Sequence, residues 1–182
     1  MNNDEKELIK RAKKDPQAFG DIYDGYYHRI FGYVLKRVGD LDSSQDIVSE
    51  TFFKALKNLW QFEWRNISIS SWLYRIANNE ISNYFRKGKR KMVSLDKIKE
   101  PFAVDNPLSE ALEAEEELKK HKDFLILHQN ISKLNLQYQE VIALRFFEKK
   151  RIKEIAEILG KKEGTVKSLI HRGLKKLKIL MD

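Results

Sequence analysis

Ala156, Gly160 and Val166 stand four and six residues apart in the run RIKEIAEILGKKEGTVKSLIHRGLKKLK. That spacing supplies what a helix-turn-helix needs: a small residue where two helices cross, a turning residue between them, and an early apolar anchor in the second helix. Gly160 accepts the left-handed backbone that ends a helix. Ile155, Leu159, Ile170, Leu174 and Leu177 extend the apolar face of this pair. Thr165, Lys167, Ser168, His171, Arg172 and Lys175 fall on the opposite face of the second helix. They offer hydroxyls and cations to phosphates and are long enough to reach base edges in a major groove. The plainer alternative is a helical hairpin with a solvated basic face. Charge weighs against it, because twelve Lys or Arg face six Asp or Glu between Leu134 and Asp182, in a chain of net charge +8.

A second constellation lies in SSWLYRIANNEISNYFRKGKR. Trp72, Tyr74, Arg75, Asn78, Asn79, Asn83, Tyr84, Arg86 and Lys87 interleave rings, amides and cations along one helix. The segment just before it carries Phe62, Trp64, Arg65 and Asn66. Unstacked bases need ring faces to stack on and amide edges to pair with, so this mixture suits opened nucleic acid. Some of the apolar side chains must be core, and Trp72, Ile76 and Ile81 are the ones expected there.

These residues need helices to hold them. Phe19, Ile22, Tyr23, Tyr26, Ile30, Tyr33, Val34 and Val38 recur at helical spacing, and Gly39 and Asp40 break the pattern. Asp42 to Ser44 offers a cap for a second helix with Ile47, Val48, Thr51, Phe52, Ala55 and Leu59 inward. A third helix is expected to start near Ser70 or Ser71. From Met92 to Glu117 the periodicity lapses, with Pro101 and Pro107 followed by Glu110, Glu113, Glu115, Glu116 and Glu117. The expected fold is all-α: two small helical domains, 4–91 and 124–182, joined by a flexible acidic linker over 92–123, the C-terminal one a helix-turn-helix. The linker could fold back on the two basic blocks, or serve only as a solvated spacer.

Composition narrows the function. With no Cys, disulfides, thiolate metal sites and thiol catalysis are excluded. No run approaches the roughly 18 apolar residues of a membrane span, and the N-terminus MNNDEKELIKRAKKD lacks a signal-peptide core. A soluble protein of the cell interior, without membrane insertion, is expected. A pI near 9.4 favours nucleic acid as partner. No Gly-rich phosphate loop or ligand-spaced acidic cluster is present, so neither an enzyme nor a cofactor is expected.

The segments DSSQDIVSETFFKAL and SSWLYRIANNEISNYFRKGKR closely resemble region 2 of sigma-70 family transcription initiation factors. YQEVIALRFF and IKEIAEILGKKEGTVKSLIHRGLKKLK resemble their region 4. Having these two regions alone, with a short linker, is similar to the extracytoplasmic-function (ECF) group. The resemblance implies a bacterial cytoplasmic factor that binds core RNA polymerase through its β′ clamp helices and β flap, and directs it to promoter DNA. Gln45, Asp46, Glu50 and Phe53 would meet the clamp helices, unless they simply form a solvated acidic face. The loop from about Gln61 to Ser70, with Phe62, Trp64, Arg65 and Asn66, would capture a flipped −10 base. Trp72, Arg75, Asn78, Asn79, Asn83, Arg86 and Lys87 would melt and hold that strand. Thr165, Lys167, Ser168, His171, Arg172 and Lys175 would read the −35 duplex. An anti-sigma factor is a further partner the family implies.

This chain departs from the family where Ser49 stands for a common Gln, Asn78 for an Arg and Asn83 for an Asp. Lys161 and Lys162 replace an apolar residue and a Ser cap, a loss of about 1 kcal/mol of helix stability. Leu169 and Leu174 stand where Arg is common, so fewer −35 contacts are expected. Two other functions compete: a stand-alone helix-turn-helix regulator, which leaves the ring-and-amide helix without a role, and a nucleic-acid enzyme, which needs a carboxylate cluster.

Overall fold

The computed structural model describes residues 3–63, 67–87 and 125–181, and every regular element among them is helical. The acidic linker 92–123 lies outside the described residues, as do Trp64, Arg65 and Asn66.

The N-terminal module opens with α1 (Asn3–Lys14), whose Ile9 and Ala12 are buried against α2 (Phe19–Val38). The α2 periodicity holds for Phe19, Ile22, Ile30, Tyr33, Val34 and Val38, all buried, whereas Tyr26 is half-buried and Tyr23, 39% exposed, lays its ring against Phe52. Gly39 ends α2 at φ 74°, the left-handed conformation that glycine adopts without a Cβ penalty. The cap of α3 (Leu41–Asn58) is Asp40, earlier than the expected Asp42 to Ser44. Asp40 is already extended, and its Oδ2 accepts the Ser43 N–H at 3.0 Å, which leaves the following residues free to be helical. Ile47, Val48, Thr51, Phe52, Ala55 and Leu59 are buried together, as their spacing requires. The Thr51 hydroxyl donates to the Ile47 carbonyl at 2.7 Å, so this polar side chain is buried with its bond made.

The third helix of the sequence reading is α4 (Ile69–Arg86), and it starts slightly earlier than expected. Ser68, extended at ψ 155°, accepts the Ser71 N–H at 3.0 Å and caps it. Ile69, Leu73, Tyr74, Ala77 and Ile81 form its buried stripe. Trp72 and Ile76 are only half-buried, and Trp72 packs on buried Phe62 with ring centroids 5.0 Å apart. Lys54 of α3 binds Glu80 of α4 at 2.9 Å and Glu50 at 3.1 Å. The bond to Glu80 raises the Lys54 pKa against the opposing effect of burial.

The C-terminal module consists of α5 (125–132), α6 (Leu136–Ile142), α7 (Ile152–Leu159) and α8 (Glu163–Met181). Wide π-type turns extend α6 over Ala143–Phe147. Gln139 lies buried between α5 and α6, and its Nε2 donates to the Leu134 and Ser132 carbonyls at 2.7 and 3.1 Å. Gly173 lies where α8 crosses α6; a Cβ there would sit 3.1 Å from Ile142 Cδ1 and 3.3 Å from Tyr138 Cβ.

Candidate nucleic-acid interface

The helix-turn-helix forms as its spacing implies. Ala156 is buried, Gly160 turns the chain at φ 62°, and Val166 is fully buried between the helices. The Glu154 carboxylate accepts the Arg151 N–H at 2.8 Å, satisfying a donor before α7 begins. Ile155 and Leu177 are buried, while Leu159 and Ile170 are half-buried. Leu174 departs from the expected apolar face: it is 40% exposed, because buried Gly173 takes the place beside α6. Leu169, at a position where Arg is common in the family, is buried instead. Thr165, Lys167, Ser168, His171, Arg172 and Lys175 are all exposed along one side of α8. The Ser168 hydroxyl donates to the Gly164 carbonyl at 3.0 Å, within its own helix. The Lys162 carbonyl accepts the Val166 N–H at 3.1 Å, so a lysine fills the position where a short polar cap is favoured.

The α4 constellation divides into two groups. Asn79, Arg86 and Lys87 are exposed, and Arg75 and Asn83 are half-buried. Asn83 Oδ1 accepts from Arg86, fixing that pair along the helix. Asn78 instead points inward. It is 6% exposed, and its Oδ1 accepts from the Tyr33 hydroxyl at 3.1 Å and from Arg37 Nη1 at 3.2 Å. Arg37, itself buried, also donates to the Tyr33 hydroxyl at 3.0 Å. Burial dominates the Tyr33 phenol and pushes its pKa up to about 12, against the lowering effect of Arg37. This network anchors α4 to α2, and it uses the amide that the sequence assigned to bases. Phe62 is likewise 5% exposed, its ring buried and packed on Trp72 of α4.

Gln45, Asp46 and Glu50 are exposed on α3, and Phe53 beside them is 59% exposed. Trp60, 69% exposed, and Leu56 continue this face. The sequence reading missed both, although Trp60 follows Phe53 at a seven-residue helical interval that could have revealed it. Among the described residues no group of three His, Asp or Glu gathers as metal ligands would. No helix among them is long and apolar enough to cross a membrane.

Comparison with known proteins decides which family the chain belongs to. The sigma-70 region 2 family model matches residues 22–91, and the sigma-70 region 4 model matches residues 124–177. The chain is 34% identical over 183 aligned residues to the ECF RNA polymerase sigma factor SigW of Bacillus subtilis, covering 95% of this chain and 94% of SigW. The chain belongs to the sigma-70 family. Within it, the likeness to named ECF factors places it in the ECF group. It is also 30% identical to the ECF RNA polymerase sigma factor BldN of Streptomyces coelicolor (strain A3(2)) over 96% of its own length, and spans 65% of BldN. The fold is shared with CnrH, solved in complex with the cytosolic domain of CnrY, at TM-score 0.69 and 21% identity over 98% of this chain and 97% of that one. RpoE of Bartonella quintana, solved in complex with the anti-sigma factor NepR, matches at TM-score 0.60 and 20% identity, over 90% and 96% of the two chains. This sigma factor therefore carries both regions in the family's order, and members of the family are transcription initiation factors, not enzymes.

Proposed function

We propose that this ECF sigma factor binds core RNA polymerase through α3 and directs it to a two-part promoter whose −10 region it opens. Residues 4–91 act as region 2, 124–182 as region 4, and 92–123 as the tether between them. Gln45, Asp46, Glu50 and Phe53, extended by Leu56 and Trp60, form an acidic and apolar face for the β′ clamp helices. Thr165, Lys167, Ser168, His171, Arg172 and Lys175 read the −35 duplex, while region 4 docks on the β flap. The loop 61–70, with Trp72, Arg75, Asn79, Asn83, Arg86 and Lys87, takes the opened −10 strand. Asn78 acts one step removed, as the residue that fixes α4.

The observation that carries this reading is the presence of two chemically distinct faces on separate modules. One is a helix with its hydroxyls and cations outward, suited to an intact major groove. The other mixes rings, amides and cations, as exposed bases require. A stand-alone regulator would leave the α3 and α4 faces without roles. The factor acts in the bacterial cytoplasm, performs no catalysis of its own and needs no cofactor. An anti-sigma factor is a further partner, consistent with the complexes in which its structural neighbours were solved.

In vitro run-off transcription with core polymerase and a promoter library tests the reading. Promoter-specific transcripts that depend on this chain are expected. A competent core that yields none, or a chain that binds promoter duplex tightly without polymerase, would refute it.

A further inference from the structure

Near the start of α4 the Tyr74 hydroxyl donates to Glu148 and Arg75 donates to the Ile158 carbonyl, so the exposed cations of this face, Arg86 and Lys87, lie at its other end. An arginine without a partner spreads its long side chain over many rotamers. Arg86 is instead held, because its Nη2 donates to Asn83 Oδ1 one turn earlier. The Asn83 amide is engaged at its other end too, where Nδ2 faces Glu80 Oε1 at 3.5 Å. The second oxygen of that carboxylate, Oε2, receives Lys54 Nζ of α3 at 2.9 Å. Glu80, Asn83 and Arg86 recur every three residues, so they follow one another along one side of α4.

The order of these bonds has a chemical reason. An ionised carboxylate only accepts, so Glu80 draws the donor end of Asn83 toward itself and leaves the acceptor end for Arg86. Turned over, the amide would set its NH₂ against the guanidinium, donor against donor, and the hold on Arg86 would be lost. The Glu80 side chain is only 12% exposed, which penalises its charge, and Lys54 offsets that penalty. Lys54 is fixed from its other side by Glu50, 3.1 Å away. Where the family commonly has Asp, this chain has Asn83. The two oxygens of an Asp are alike and need no orienting, whereas the two ends of an amide differ. A plainer account makes the Lys54–Glu80 pair a joint between α3 and α4 and nothing more.

We propose that Glu80 and Lys54 are positioning residues of the strand face: Glu80, held by Lys54, orients the Asn83 amide, and Asn83 holds Arg86 ready for a phosphate of the opened strand. The proposal rests on the reading of α4 as the −10 strand surface. Arg86 is exposed and spends only Nη2 on Asn83, which leaves Nη1 and Nε for a charge-assisted contact with phosphate oxygens. Glu80 and Lys54 act through Arg86 and do not themselves meet DNA. The sign of the effect separates positioning from charge. A carboxylate beside a DNA-binding cation repels phosphate, so on charge alone its removal tightens binding. Positioning requires the opposite.

The test uses the full chain, alone and bound to core polymerase. Two affinities are read: that of the chain for a fluorescent pool of single-stranded random DNA 12-mers, and that of the polymerase complex for a promoter duplex taken from the run-off library. Glu80→Ala should weaken both by about three- to tenfold, the value of fixing one long side chain before binding. Asp24→Ala, which removes the same charge from an exposed position on α2, should weaken neither. With Arg86→Ala already present, Glu80→Ala should cost nothing further. With Asn83→Asp present it should also cost nothing, because that carboxylate holds Arg86 unaided. Glu80→Gln keeps the shape but turns one acceptor into a donor, so it should shift both affinities in the same direction, and it stands in should Glu80→Ala fail to fold. Unchanged or tighter binding in Glu80→Ala overturns the proposal. So does a loss that persists in full beside Arg86→Ala, which would mark a structural joint. If the 12-mer pattern appears without run-off transcripts, the promoter reading fails and the positioning role stands. Transcripts without the pattern sink the positioning role alone.

Discussion

Gly173→Ala sets helix preference against packing, and the structure decides which wins. In an open helix interior the change gains about 1 kcal/mol, because Ala loses less conformational freedom on folding. At Gly173 the new Cβ would lie 3.1 Å from Ile142 Cδ1, 3.3 Å from Tyr138 Cβ and 3.4 Å from Tyr138 Cδ1. Carbon atoms pack best at about 3.5–4.0 Å. The Ile142 methyl can swing aside, but Tyr138 Cβ is fixed to the backbone of α6, so α6 and α8 must part by a few tenths of an ångström. Overpacking of this kind costs about 1–3 kcal/mol, which leaves a net destabilisation of about 1 kcal/mol. Gly164→Ala is the matched control. It is exposed, lies in the first turn of α8, and its Cβ meets nothing within 4 Å, so it should stabilise by about 0.5–1 kcal/mol. Peptide-level hydrogen exchange over residues 136–181 of the full chain reads both, since local opening energies follow the module and not the whole protein. Faster exchange in Gly173→Ala and slower exchange in Gly164→Ala are expected. Equal protection in the two variants would refute the claim that the α6–α8 crossing requires glycine.

Three further outcomes follow from single residues. Asp40→Ala removes the α3 cap and should cost about 1 kcal/mol, whereas Asp42→Ala should be nearly neutral; urea unfolding followed by tryptophan fluorescence separates them, since all three Trp lie before residue 73. Burial raises the Tyr33 phenol to about 12, so its share of stability is complete below pH 10 and is lost as pH rises through about 12; a shift of this size carries about 2–3 kcal/mol. Tyr33→Phe should therefore lose less stability between pH 9 and 12, and parallel curves would contradict the assignment. Burial lowers His128 below its ordinary pKa, so the packing of α5 loses stability as pH falls from 6.5 through the folded value; exchange in residues 125–132 should quicken in that range beyond its intrinsic rate, and His128→Asn should abolish the dependence.

Most of the helices and the exposed polar face of α8 were legible because both are written in local periodicity. Ala156, Gly160 and Val166 needed only their spacing to be found, and the exposed cations of α8 follow from the same 3.6-residue repeat. Asp40 and Ser68 were displaced from the expected caps by two or more residues, because several short polar residues compete at each start and only backbone geometry selects one. Asn78 shows a different limit. On α4 it reads as one amide among several, yet it turns inward because Tyr33 and Arg37, more than forty residues earlier, offer it hydrogen bonds in the core. Nothing local announces a buried arginine that prefers an amide to water. Glu148 was invisible for the same reason, since its partners Tyr74 and Lys36 come from the other module.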